Sequence, residues 1–423
     1  MTPPPHPHAS THSAPLRAPM SAWRFVFAFG TISLLADFVY EGARSITGPL
    51  LASLGASAFV VGVVTGIGEA AALALRLVSG PLADRTHRFW AFTIAGYALT
   101  VVTVPLLGVA ATLWVACTLV IAERVGKAVR SPAKDTLLSH ATTATGRGRG
   151  FAVHEALDQI GALIGPLTVA AVLAVTGGNY GPALGILALP GALVMALLVW
   201  LRARVPDPTR YETDRTEPSE TSSSGDTDDT GRWMRSLPAS FWVYSGFSAA
   251  TMIGFATFGV VSFHLIARDL LPAAGVPLVY AAAMGADAVA ALLTGWAYDR
   301  IGVKVLLALP ILAALVPALA FTETVASAVL GALLWGAAVG VQESTLKAVV
   351  ADLVAPGRRA TAYGLYAAVI GVATAVGGAV TGLLYQLSIP ALITTVAVIQ
   401  LAAIAALSTT IRRTGRPVRG RHR

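Results

Sequence analysis

The chain has 423 residues, 55% of them hydrophobic and only 12% charged, with a mean hydropathy of +0.69 and a formal net charge of +8. Soluble domains carry roughly 25% charged residues, so an ordinary water-soluble globule is excluded: too little polar surface remains to face water. The basic excess is spread over segment ends and tails rather than gathered into a patch for nucleic acid.

In chain order, residues 1–21 are rich in Pro, His, Ser and Thr and lack the charged-then-apolar order of a cleavable signal peptide. They read as a disordered cytoplasmic tail. Apolar stretches then recur near 23–44, 58–82, 90–109, 111–131, 151–175, 182–203, 238–266, 276–298, 304–321, 325–350, 361–385 and 390–411. Each is long enough to cross roughly 30 Å of hydrocarbon as a helix, and a Leu/Ala/Val/Gly composition favours helices over alternating barrel strands. Between the sixth and seventh stretches, PDPTRYETDRTEPSETSSSGDTDDTGR (206–232) is acidic, Ser/Thr-rich and nearly free of aromatics, the composition of a disordered linker. The expected fold class is an all-α integral membrane protein. Its expected units are a bundle over 22–204, a cytoplasmic linker over 205–237, a second bundle over 238–411 and a basic tail over 412–423. The single cysteine, Cys117, excludes an internal disulfide framework.

With the N-terminus inside and twelve spans, all Lys and Arg except Arg44, Arg76 and Arg268 fall on cytoplasmic loops, tails or the cytoplasmic halves of helices. That asymmetry is the positive-inside pattern. It predicts a multi-pass protein of the cytoplasmic membrane with both termini cytoplasmic.

The two halves repeat one another. GPLADRTHR (80–88) leaves the second span, and GWAYDRIGVK (295–304) leaves the eighth. Glu123-x-x-x-Lys127-Ala128-Val129 in the fourth span recurs as Glu343-x-x-x-Lys347-Ala348-Val349 in the tenth. Such repeats predict two pseudo-symmetric six-helix bundles about an axis along the membrane normal, with a site between them.

On Gly80, Leu82, Asp84, Arg85 and Arg88, and on Gly295, Asp299, Arg300, Gly302 and Lys304, the chain resembles the major facilitator superfamily over nearly its whole length. His87 stands where that family's loop signature usually has glycine. The resemblance implies alternating access by two bundles, with Gly80, Asp84, Arg85, Arg88, Arg130, Gly295, Asp299 and Arg300 closing a cytoplasmic gate. It also implies a monomer without cofactor or ATP. Within the superfamily, the run GKAVRSPAKD…RGRGFAVHEALDQIGALIGP resembles a bacterial permease subgroup of unassigned substrate. In it Gly161, Gly165 and Pro166 partly match a fifth-helix motif of drug:proton antiporters; small residues at that spacing also serve close helix packing.

Other charges sit inside apolar segments, where a charge is costly and must face a partner or water. Glu123, Lys127, Arg130 and Lys134 share one helical face, with a helix end expected near Ser131 because Pro132 follows. Arg124 best matches a functional arginine of the family's fourth helix. Asp37 and Glu41, Glu69 and Arg76, and His154 and Asp158 (with Glu155 beside them) pair by helical spacing; Arg44 lies one turn beyond Glu41. The second half offers His264, Asp287, Gln342, Glu343 and Lys347, and its sparser charge suggests ion coupling in the first half and substrate shape in the second. These residues form either a functional cavity with proton carriers, Asp37 and Asp158 foremost, or a structural set in which Glu69–Arg76 and Glu123–Lys127 merely neutralise one another.

The expected function is secondary active transport of a small molecule, with proton-coupled efflux preferred over nutrient import or facilitation. A membrane enzyme or receptor fits least. Gly126-Lys127 lacks the rest of a phosphate-binding loop. His154, Glu155 and Asp158 are too few convergent donors for a closed metal site, and no metal or other cofactor is expected.

Overall fold

The computed structural model describes residues 20–211, 237–354 and 359–414, and every regular element among them is helical. The first half comprises α1 (Ala22–Ser53), α2 (Ala58–Ala74), α3 (Arg76–Thr86), α4 (Phe89–Leu107), α5 (Leu113–Thr145), α6 (Arg147–Val175), α7 (Tyr180–Gly185), α8 (Ala188–Arg204) and the short 3₁₀ helix η1 (Pro208–Tyr211). The second comprises α9 (Ala239–Ile253), α10 (Phe258–Ala267), α11 (Gly275–Ile301), the 3₁₀ helix η2 (Gly302–Leu307), α12 (Ala308–Ala320), α13 (Val325–Leu353), α14 (Arg359–Leu387) and α15 (Ile389–Thr414).

Among the described residues, ten helical segments are long and apolar enough to cross a membrane, against the twelve expected. Two causes account for the difference. Gly275–Ala320 is one apolar segment of 46 residues, which as a straight helix would run about 69 Å, twice a bilayer core. The chain bends within it at Gly302 (φ 61°), and both arms pack against α13. The other cause is α5: its charges remove it from a composition test, yet Glu123, Arg124 and Arg130 are buried.

Pro132 does not end α5, which runs through it to Thr145. Proline has no N–H for the carbonyl four residues back. That carbonyl, on Ala128, instead accepts from Ser79 Oγ at 2.8 Å. A neighbouring helix thus repairs the ladder, as membrane proteins require where no water is at hand.

The repeated loops turn differently. His87 (φ 51°) and Gly302 (φ 61°) occupy equivalent repeat positions and both take the left-handed side of φ. Their ψ values differ, 23° against −146°: His87 is left-handed helical, whereas Gly302 lies in a region essentially open only to glycine. The loop glycines behave unequally: a Cβ on Gly80 would meet the Pro132 ring at 3.7 Å, while Gly295 has nothing within 4 Å. The end of α11 stands clear at Gly295, with Trp296 57% exposed and the Arg300 guanidinium 3.5 Å above its ring.

The start of the linker is ordered rather than loose. Trp90 donates from Nε1 to the Pro206 carbonyl (3.1 Å), and the Tyr211 hydroxyl donates to the Met20 carbonyl (2.9 Å), with its ring against Phe25. Residues 205–211 therefore belong to the first bundle, their aromatic ring buried. Residues 1–19, 212–236 and 415–423, which hold most of both expected tails and of the linker, lie outside the described residues. At the other terminus α15 continues to Thr414, past the expected boundary at 411.

Met20, Arg88 and Tyr211 mark a proximal face. At the distal face the bundles touch. A side chain on Gly48 of α1 would collide with the Gly259 carbonyl and Ser262 hydroxyl of α10, and one on Gly62 of α2 with the Gly378 carbonyl of α14. The hydroxyls of Thr65 and Thr257 meet there at 2.9 Å. The apolar core of the second bundle is continuous, around Phe241, Phe247, Tyr280 and Trp335. That of the first is divided into a distal cluster (Val39, Ile46, Leu173, Leu184) and a proximal one (Phe25, Phe29, Trp90, Leu198). A layer of charge lies between them.

Candidate functional site

A cavity of about 850 Å³ lies between the bundles, its lining running from Thr65 and Thr257 near the distal contact to Gly80 and Asp84 at the end of α3. It therefore opens toward the proximal face. Its two walls differ. The first bundle lines it with Arg44, Glu69, Arg76, Glu123, Arg124 and Lys127; the second with Phe255, Phe258, Trp335, Tyr366, Gln342 and Glu343. The division expected from charge asymmetry is thus spatial.

The charged wall is built by α1, α2 and α5. Arg44 reaches Glu69 at 2.9 Å and Glu41 at 3.5 Å; Arg124 reaches Glu69 at 3.5 Å and Glu123 at 3.3 Å. Glu41 is 5% exposed and also accepts from the Tyr280 hydroxyl of α11, which ties the charged layer to the other bundle. Expected pairings are redistributed. Glu69 does not bond Arg76, because α2 and α3 part at Leu75, between those two residues. Lys127 does not bond Glu123 but donates to the Tyr40 hydroxyl at 3.0 Å, with its Nζ 4.4 Å from that ring's centroid. Arg76 Nε is buried without a hydrogen-bond partner.

A second cluster lies deeper, between α1, α4, α5 and α6. Asp158 is 3.3 Å from His154 Nδ1 and 3.8 Å from Lys134 Nζ; Nε2 of His154 lies 2.9 Å from Ser33 Oγ, which lies 3.2 Å from the Tyr97 hydroxyl. Asp158 therefore has a cation, Lys134 on α5, that sequence separation concealed. The charged groups facing Asp37 are Asp158, Arg130, Lys127 and Lys134. Arg130 joins the two clusters, its guanidinium 4.5 Å from the Tyr97 ring centroid and 5.5 Å from that of Tyr40.

The remaining candidates are placed apart. Asp287 of α11 is 4% exposed and makes no ion pair among the described residues. Its neighbouring charges include Glu343 and Glu41. His264 is held by Tyr385 (2.8 Å) and the Thr322 carbonyl (2.9 Å), a packing role. The side chain of Lys347 lies outside the described ones. Among the described residues no group of His, Cys, Asp and Glu is arranged to hold a metal.

The model of the Major Facilitator Superfamily matches residues 29–271 and 244–423. The chain belongs to that superfamily. A protein of Mycobacterium tuberculosis strain H37Rv, itself uncharacterized, is 64% identical over 388 residues, covering 92% of this chain and 93% of the relative. An uncharacterized transporter of the superfamily's type from Methanocaldococcus jannaschii is 24% identical, covering 86% and 89%. In fold the chain is similar to the nucleoside transporter NupG (TM-score 0.69, 15% identity, covering 92% and 99%). It is also similar to a POT family transporter in complex with 5-aminolevulinic acid (TM-score 0.70, 14% identity, covering 92% and 96%).

Of the expected gate residues, Asp84, Arg85, Arg88, Asp299 and Arg300 are exposed at the proximal face, where no ion pair joins them among the described residues, whereas Arg130 is buried against Tyr40 and Tyr97. The exposed ones stand on the side where the cavity is open. The fifth-helix motif packs on α1: Gly161 against the Leu34 carbonyl and Gly165 against that of Phe38. This contact sets α6 close enough for His154 to reach Ser33. Sequence reasoning missed Tyr40, Tyr97, Ser33 and Tyr280, and the aromatic wall. Tyr40 lies between Asp37 and Glu41 in a charged run, a signal that was available; an aromatic residue in an apolar helix otherwise gives none.

Proposed function

We propose that this superfamily member is a secondary active transporter that exports a small molecule across the cytoplasmic membrane in exchange for protons. One observation carries the reading. The cavity between the bundles is closed at one end by backbone-to-backbone contact and open at the other, and its wall is contiguous with buried acids. With both termini cytoplasmic, as the Lys/Arg distribution indicates, that opening faces the cytoplasm and admits substrate from inside. Its size is within the roughly 300–1,000 Å³ of small-molecule sites. Ligands can drive alternation only by binding the two states differently.

Asp37 and Asp158 are the proposed proton carriers. They stand close enough that one charge opposes the other, and Lys134, Arg130 and Lys127 can satisfy either in turn. His154 orients Asp158 through the contact at 3.3 Å. Glu69, shared between Arg44 and Arg124, is the proposed link by which a change in charge reaches the cavity.

The test uses proteoliposomes under an imposed pH gradient, screened with a compound library, comparing the unaltered protein with Asp37→Asn and Asp158→Asn. Compound-dependent dissipation of the gradient, lost in either variant, is expected. Transport that is indifferent to the gradient and to both variants would reject proton coupling. Accumulation against the proposed direction would reject export.

A further inference from the structure

Two cations of the charged wall are left without an ion pair among the described residues. The cations facing Glu69 are Arg124, Arg44, Lys127 and Arg76. Arg44 and Arg124 are engaged with Glu41, Glu69 and Glu123. Lys127 and Arg76 form no ion pair among the described residues: Lys127 holds only the Tyr40 hydroxyl, and Arg76 Nε has no hydrogen-bond partner. Arg124, 7% exposed, also has a buried Nη1 without a hydrogen-bond partner. Orphaned donors on buried cations are costly and are normally satisfied. Here two of them, on Arg76 and Arg124, line one cavity.

The opposite wall carries Gln342 and Glu343, but its aromatic residues turn no polar group to the cavity. Trp335 donates its Nε1 to the Ala256 carbonyl at 2.8 Å, and Tyr366 its hydroxyl to Ser248 at 2.9 Å. Both polar handles are used inside their own bundle, which leaves ring carbon toward the cavity. Phe255 stacks on Trp335 with 8° between the ring planes.

We propose that the cavity takes an organic anion, its carboxylate or similar head among Arg76, Arg124 and Lys127 and its apolar, ring-bearing body against Phe255, Trp335 and Tyr366. This rests on the reading of the cavity as the transport site. Asp84 and Glu343 line the same cavity, so a preference for cations is the competing outcome. An anion supplies acceptors to the Arg76 and Arg124 donors that lack them, which a cation cannot do.

The experiment is calorimetric titration of the purified full-length protein with 2-naphthoate, 2-naphthamide and 2-naphthylmethylammonium, which share a ring body and differ in head charge. The carboxylate is expected to bind at least about tenfold more tightly than the amide, a difference of about 1.4 kcal/mol. That advantage should vanish in Lys127→Gln and Arg76→Gln, persist in Lys127→Arg, and leave the affinity of the amide unchanged. Equal binding of amide and carboxylate, preference for the ammonium, or no binding of any probe would each overturn the proposal. The three-probe comparison on the unaltered protein stands even where a variant folds poorly. No gradient is involved, so anion preference without proton-driven flux would reject the coupling proposed above and leave this inference intact.

Discussion

Ser79 on α3 donates its hydroxyl to the carbonyl of Ala128 on α5 at 2.8 Å, replacing the backbone donor that Pro132 cannot supply. Ser79 is buried, and the contact sits beside the charged face that carries Lys127 and Arg130. It holds α3, and with it Gly80 and Asp84, against the helix that forms the charged wall.

Ser79→Ala leaves that carbonyl unsatisfied in a low-dielectric setting, and is expected to cost about 1–3 kcal/mol. Adding Pro132→Ala restores an N–H to the ladder and should recover most of the loss. Thermal melting of single and double variants in one detergent checks this; additive effects would show that the two residues are not coupled.

The distal contact should be separable by chemistry. Thr65 and Thr257 present hydroxyls 2.9 Å apart across the bundle interface, a spacing compatible with a disulfide after substitution. In a Cys117→Ala background, Thr65→Cys with Thr257→Cys should cross-link under mild oxidation and reduce transport to background, with recovery on adding reductant. Undiminished transport by fully cross-linked protein would mean that the distal end need not open.

Asp84 is exposed at the mouth of the cavity and makes no ion pair among the described residues. Asp84→Asn should therefore leave thermal stability unchanged while lowering transport about tenfold, the equivalent of 1.4 kcal/mol, through loss of the closed proximal state. Normal transport by the variant would remove it from the gate.

His87 adopts φ 51° at the position where the second half has Gly302. A left-handed conformation costs a non-glycine residue about 1–2 kcal/mol. His87→Gly, offset by glycine's greater unfolded-state freedom, should stabilise the protein slightly without altering transport. A lower melting temperature would show that the His87 ring, 6.3 Å from that of Phe89, contributes more than its backbone costs.

Much of the molecule was legible in the chain of letters. Apolar runs of bilayer length, the paired G-x-x-x-D-R exits and the recurring Glu-x-x-x-Lys-Ala-Val pattern follow from local composition and spacing, and these alone determined an all-helical membrane protein of duplicated design. The fifth-helix glycines were equally plain, since only small residues let helices touch in lipid. What the sequence could not decide was partnership. Spacing placed Glu69 with Arg76 and Glu123 with Lys127, because helical periodicity reports neighbours on one helix and is silent about the next. Packing α1, α2 and α5 together gave Glu69 instead to Arg44 and Arg124, and Lys127 to Tyr40. It likewise gave Asp158 to Lys134, and carried α5 through Pro132 by lending it Ser79. In hydrocarbon every polar group must find its match inside the protein, and which match is nearest is a property of the tertiary structure.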